Sequence, residues 1–230
     1  DTGLDSPSLG LDLHEGDFWP LTWERYGALP GDRRAEMDRG YERLVEAVRF
    51  NREEIVVASS AAAYERLLLL AEIGRTGNSM FMASDREEGG AIRENGMSRT
   101  TMWILDRAAA DHRAVLWAHN LHVATGSFRM PGLAEGDLVP MGVQLDSVLG
   151  DDYLTVGGAF SRGMFPHDLP PGQRVFERPS EDVMDGALAG VGLAAFVLDL
   201  RQAETDLAAW KWLGRRRDWI AQDSRSVLTP

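Results

Sequence analysis

The sequence predicts a mixed α/β fold: a mainly helical region over 1–110, then an α/β region over 111–230 in which a sheet carries flanking helices. Two observations carry that expectation. Apolar residues recur at helical spacing through the first half, and after Asp111 they gather in short continuous runs, the pattern of buried strands. A chain of 230 residues, 44% hydrophobic and 26% charged, has enough apolar surface for one large domain or two small ones.

Each element has its own signal. The opening DTGLDSPSLGLDLHEGDFWP has no initiating methionine and no helical or strand pattern, and it reads as a loop after a strand. The chain is therefore expected to be the C-terminal part of a longer protein. Asp32 can cap a first helix, in which Met37, Tyr41, Leu44, Val45 and Val48 form one face. Ser59 or Ser60 can cap a second, with Tyr64, Leu67, Leu68 and Ala71 as its stripe and Gly74 as its stop. GRTGNSM, which follows, reads as a loop. A third helix runs from near Glu87 or Ala91 to Ala110, with Met97, Thr101, Ile104, Leu105 and Ala108 facing inward. Strands are expected at 114–119, 153–158 and 193–198, with a shorter one in RVFERP (174–179). Ser180 opens another helix, and DLAAWKWLGRR ends the pattern as a helix or irregular tail.

Composition excludes several functions. Net charge is −12, which leaves no basic footprint for nucleic acid or anionic lipid. No cysteine is present, so disulfides, thiol nucleophiles and cysteine-ligated zinc are excluded. No stretch reaches the roughly 18 apolar residues of a membrane span, and no signal peptide opens the chain. Neither a P-loop nor a dinucleotide fingerprint occurs. SAAAYERLLLL offers a serine without the strand–turn context of a nucleophile elbow.

The stretch with most chemistry is VLWAHNLH, 115–122, which holds two of the five histidines. It places His119 and Asn120 at the carboxyl end of an expected strand, where ligands of open α/β sheets bind. An imidazole there can act as general base, as donor to a developing oxyanion or as metal ligand. It can equally be an ordinary polar residue satisfied by backbone at a strand end. The His-Glu-x-x-His pattern of zincins is absent, because Asn120 and Leu121 fill the interior positions. In AIRENGMSRTTMWIL, Arg93 and Met97 lie four apart with Trp103 beyond them. Arg93 can bind an oxyanion through its fork of donors, or simply pair with a neighbouring acid. His112 reads as a solvated helix end, and His14 and His167 as loop surface.

The order Arg93-x-x-x-Met97, Trp103, WAHNLH, MGVQLDSVLGDDYLTVGGAFSRGMF and LAAFVLDLR resembles the erythromycin esterase family, over nearly the whole chain. That family typically shows Arg-Asp-x-x-Met on a helix, then Trp-Ala-His-Asn-x-His, Met-Gly-x-x-Leu, Leu-Gly-x-x-Tyr and Gly-x-x-Phe. The resemblance implies a bacterial, cytoplasmic carboxylic-ester hydrolase; a few members inactivate macrolide antibiotics by opening their lactone, and many others have unknown substrates. It implies no metal, no cofactor and no covalent acyl-enzyme, with a histidine activating water. His119 and His122 match the catalytic histidines; Arg93, Met97 and Asn120 match substrate-binding positions, Asn120 in a positioning role. Glu94 stands where the family usually has Asp, and Ser98-Arg99-Thr100 where it often has Ala-Glu-Asn. The family's general base lies in a Gly-Glu-x-Thr-His-Gly motif, which these 230 residues do not contain. The expected partners are thus a small-molecule ester or macrolide and an N-terminal segment of the same protein, without which the chain is expected to be slow. A non-catalytic binding module of the same fold and a metal-dependent hydrolase are the alternatives.

Overall fold

The computed structural model describes residues 20–108, 112–127, 138–159, 163–164, 175–176, 184–201, 206, 208, 219–220 and 227–228. The chain forms two compact units, Asp1–Val115 and Leu116–Pro230.

The first unit contains five helices: α1 (Pro20–Gly27), α2 (Gly31–Phe50), α3 (Arg52–Ala58), α4 (Ala61–Met82) and α5 (Arg86–Leu105). Helix α4 is the hub, packing against α2, α3 and α5. Its core joins Val45 and Val48 of α2 to Tyr64 and Ala71 of α4, with Leu44, Ile55, Val56 and Leu68 against them. The helical spacing of the apolar residues in α2 therefore marks the face that is buried. Ser60 caps α4, its hydroxyl accepting the Ala63 N–H at 3.1 Å.

Several local expectations are corrected. Asp32 does not cap α2; that helix follows Pro30, and Asp32 sits in its first turn, where the helix dipole favours an acid. Gly74 does not stop α4, which continues through GRTGNSM to Met82. A glycine within a helix costs only about 1 kcal/mol, and here it allows close approach. A Cβ on Gly74 would stand 2.9 Å from Cε1 of Tyr41, on α2. Asn78, in the same stretch, is a buried link rather than a turn residue. It accepts from the Tyr26 hydroxyl at 2.7 Å and donates to Asp38 at 2.9 Å. In α5 the buried positions are the small residues Gly89 and Ser98, whereas Ile104 is 54% exposed. Of the expected inward face, Met97, Thr101 and Leu105 are partly buried, while Ala108 is exposed like Ile104.

The second unit overturns the expected fold class. Its elements are α6 (Asn120–Val123), α7 (Met141–Leu149), a 3-10 turn (Gly150–Asp152), β1 (Gly163–Met164), β2 (Val175–Phe176), α8 (Met184–Ala189), β3 (Trp219–Ile220) and β4 (Val227–Leu228). The only ladders among the described residues are two antiparallel pairs of two-residue strands, β1 with β2 and β3 with β4. The described structure is mainly helical, not α/β with a sheet. The runs at 114–119, 153–158 and 193–198 form no ladder, and their apolar side chains face solvent: Val115 is 91%, Trp117 95% and Val197 92% exposed. An apolar run reports what a segment could bury; a strand also needs a hydrogen-bonding neighbour, and the run does not specify one. Of RVFERP, Val175 and Phe176 form β2. The expected helix start at Ser180 and most of the tail after 201 lie outside the described residues.

Candidate active site

His119 and His122 stand on one turn of the second unit. His119 occupies the N-cap position of α6 with an extended backbone, and its Nδ1 accepts the Leu121 N–H at 3.2 Å. The backbone N–H of His122 donates to the His119 carbonyl at 2.9 Å. The two rings meet edge to face, 6.5 Å between centroids and 70° between planes. An Nδ1 that accepts a hydrogen bond carries no proton, so the neutral ring of His119 holds its proton on Nε2. Burial, and secondarily the neighbouring His122, push the His119 pKa below its usual value. The ring is therefore a neutral Nε2–H donor.

The surrounding chain braces this turn. The Val123 carbonyl, at its far end, accepts from the Tyr153 hydroxyl at 3.0 Å and from the Thr155 hydroxyl at 3.1 Å. The Asn120 side-chain amide takes both ends of the Gly158 peptide unit. Its Nδ2 donates to the Gly158 carbonyl at 2.5 Å, and its Oδ1 accepts the Gly158 N–H at 2.9 Å. Helix α7 packs against α6 through Gly142, where any Cβ would collide with backbone atoms of Val123 and Ala124. Met141 and Leu145 are almost fully buried beside it.

Arg93 and Met97 lie on α5, in the first unit, both partly buried. The Arg93 guanidinium contacts the carboxylate of Glu94 at 3.2 Å, so the acid next to it in sequence is an ionic neighbour in space. Just past the end of α5, the Arg107 guanidinium stacks on Trp103, 4.0 Å from the ring centre. That pair, with Glu65 and Arg66, lines an open groove of about 390 Å³ that holds no histidine. His112 is exposed, while His14 and His167 lie outside the described residues. No group of three or more His, Asp and Glu side chains suited to a metal ion occurs among the described residues, and none of the described helices is long and apolar enough to cross a membrane.

The erythromycin esterase family model matches residues 18–224. The chain belongs to the erythromycin esterase family. Erythromycin esterase type II of Escherichia coli is 26% identical over 126 residues, a match covering 50% of this chain and 29% of that protein. No solved structure matches significantly. The family pattern acquires physical content here. Met141 and Leu145 of Met-Gly-x-x-Leu are the apolar side of α7, and its Gly142 is the contact with the histidine turn. Gly150 of Leu-Gly-x-x-Tyr takes a φ of 52°, a region that favours glycine, and Tyr153 three residues later reaches Val123. Reading the residues one by one does not single out Thr155 and Gly158, because their only signal is an apolar run that looks like a strand.

Proposed function

We propose that the turn carrying His119 and His122 is the carbonyl-binding part of a carboxylic-ester hydrolase, with macrolide lactones as the substrate class. The observation that supports the reading best is the Leu121 N–H on Nδ1 of His119, in a chain of the erythromycin esterase family. It leaves Nε2–H as the catalytic edge. Water attacks the ester carbonyl carbon, the carbonyl electron pair moves onto oxygen, and Nε2–H of His119 donates to that oxyanion. In this reading His122 makes the second contact to the same oxygen. Asn120 holds position only, because its donor and acceptor are engaged by Gly158. The tetrahedral intermediate then expels the alcohol, which leaves with the proton that the general base took from the attacking water.

The proton of the attacking water goes to a base that this reading draws from the family's Gly-Glu-x-Thr-His-Gly motif. The 230 residues contain no such motif. Turnover by the chain alone is accordingly set about two to four orders of magnitude below that of a protein containing the base. A second reading is a binding module of the same fold that retains the pocket without the chemistry.

The test is incubation with an aryl ester and with a macrolide, lactone opening being read by mass spectrometry as the gain of one water. Slow turnover that falls by about 10²- to 10³-fold in His119→Ala supports the hydrolase. Macrolide binding without turnover, even when the motif-bearing segment is supplied, supports the binding module.

A further inference from the structure

We propose that Asn120 is a positioning residue: its side-chain amide, clamped on the Gly158 peptide unit, holds α6 in the form that presents His119 as an Nε2–H donor. The proposal deepens the hydrolase reading, and rests on it only for the use made of the imidazole.

Helix α6 has four residues. One turn cannot hold itself, because fixing its backbone angles costs more than its few hydrogen bonds return. Its form must come from outside. Segment 153–158 supplies that support at both ends of the turn: Tyr153 and Thr155 bond to Val123, and Gly158 bonds to Asn120. Residue numbers rise along one partner as they fall along the other, the sense of an antiparallel pair. At the Asn120 end a side-chain amide replaces the missing strand. It offers one donor and one acceptor to one donor and one acceptor, as two paired peptides do. The match also fixes the amide orientation, since the flipped form would set donor against donor.

Asn120 lies between His119 and Leu121, the two residues joined by the Nδ1 bond. Rotation of the backbone at Asn120 swings the Leu121 N–H away from the ring. With that N–H gone, Nδ1 is free to take a proton, and the ring divides between two tautomers. Only one of them places a donor at Nε2. The clamp thus acts on His119 through the backbone, without touching substrate.

A purely structural clamp would lower stability and leave the tautomer alone, which sets the measurement. Histidine side chains of the ¹⁵N-labelled full chain are followed by long-range ¹H–¹⁵N correlation, with His119 assigned from His119→Gln. The wild type shows the Nε2–H tautomer. Asn120→Ala populates the Nδ1–H form and moves the His119 titration up toward the usual value of 6.5. Asn120→Asp has nearly the same shape; it keeps the Gly158 N–H bond, loses the donor to the Gly158 carbonyl, and shifts the ring in the same direction by less. Thr155→Val removes one bond at the other end of the turn and leaves the tautomer unchanged. If Asn120→Ala unfolds, the Asp variant decides. An unaltered tautomer in the folded Asn120 variants overturns the proposal, and so does an equal shift in Thr155→Val. Where turnover is measurable, kcat in Asn120→Ala falls about tenfold or more with KM nearly constant. A shifted tautomer in a protein without esterase activity keeps the positioning role and removes the hydrolase reading.

Discussion

A histidine ring offers two nitrogens, and at His119 the fold has already used one. Leu121 occupies Nδ1, and the ring is half-buried beside a second imidazole. Burial and His122 lower its pKa below 6.5, so in the window between the folded value and 6.5 the unfolded chain binds more protons. This contribution to stability is complete above that window and is lost as pH falls through it. Urea midpoints are therefore expected to drop between pH 7.5 and 5, and His119→Gln to flatten that part of the profile. In the first unit, Asn78 joins the Tyr26 hydroxyl to Asp38, and burial together with Asp38 raises the Tyr26 pKa. Asn78→Ala strands both partners, and urea unfolding should show a loss of about 1–3 kcal/mol. The histidine pair was legible because two histidines within four positions, directly after an apolar run, are conspicuous. Asn78 was not, since an asparagine in Gly-Asn-Ser is written in the same letters as a turn.

At the scale of elements, spacing and caps were the readable part. The stripe of α2 and the Ser60 cap of α4 depend on local sequence alone. Ser60→Ala should lower stability by about 1 kcal/mol, seen as a lower thermal midpoint. Helix α6 was not readable, because no local signal announces a four-residue helix held by a distant segment. Segment 153–158 read as a strand for an understandable reason: hydroxyl and amide bonds to residues 120 and 123 keep it extended in place of a ladder. Gly142 leaves no room for a Cβ in that assembly. Gly142→Ala would force a methyl group into the Val123 and Ala124 backbone, which cannot rotate aside as a side chain can. A stability loss of about 1–3 kcal/mol is expected, accompanied by a change in the His119 and His122 ring signals.

At the scale of the molecule, composition indicated the broad class, and helical spacing the helices of the first unit. The fold class of the second unit was misread, because apolar runs say nothing about which backbone pairs with which. The outcome is a surface with unusual apolar exposure, including Val115, Trp117, Val156 and Val197. Trp117, 95% exposed, should emit at long wavelength and be readily quenched by iodide, so Trp117→Phe should lower the iodide-quenchable fluorescence. A blue-shifted, protected Trp117 would show that this run is covered in solution. The central claim is narrower: the histidine turn binds a tetrahedral oxyanion through a neutral His119. Calorimetric titration with an aryl phosphonate, a stable mimic of that oxyanion, tests it without requiring turnover. Binding should change little between pH 7 and 8 and weaken about tenfold or more in His119→Ala. Binding unaffected by His119→Ala, or binding that strengthens only as the pH falls through 6.5, would contradict it.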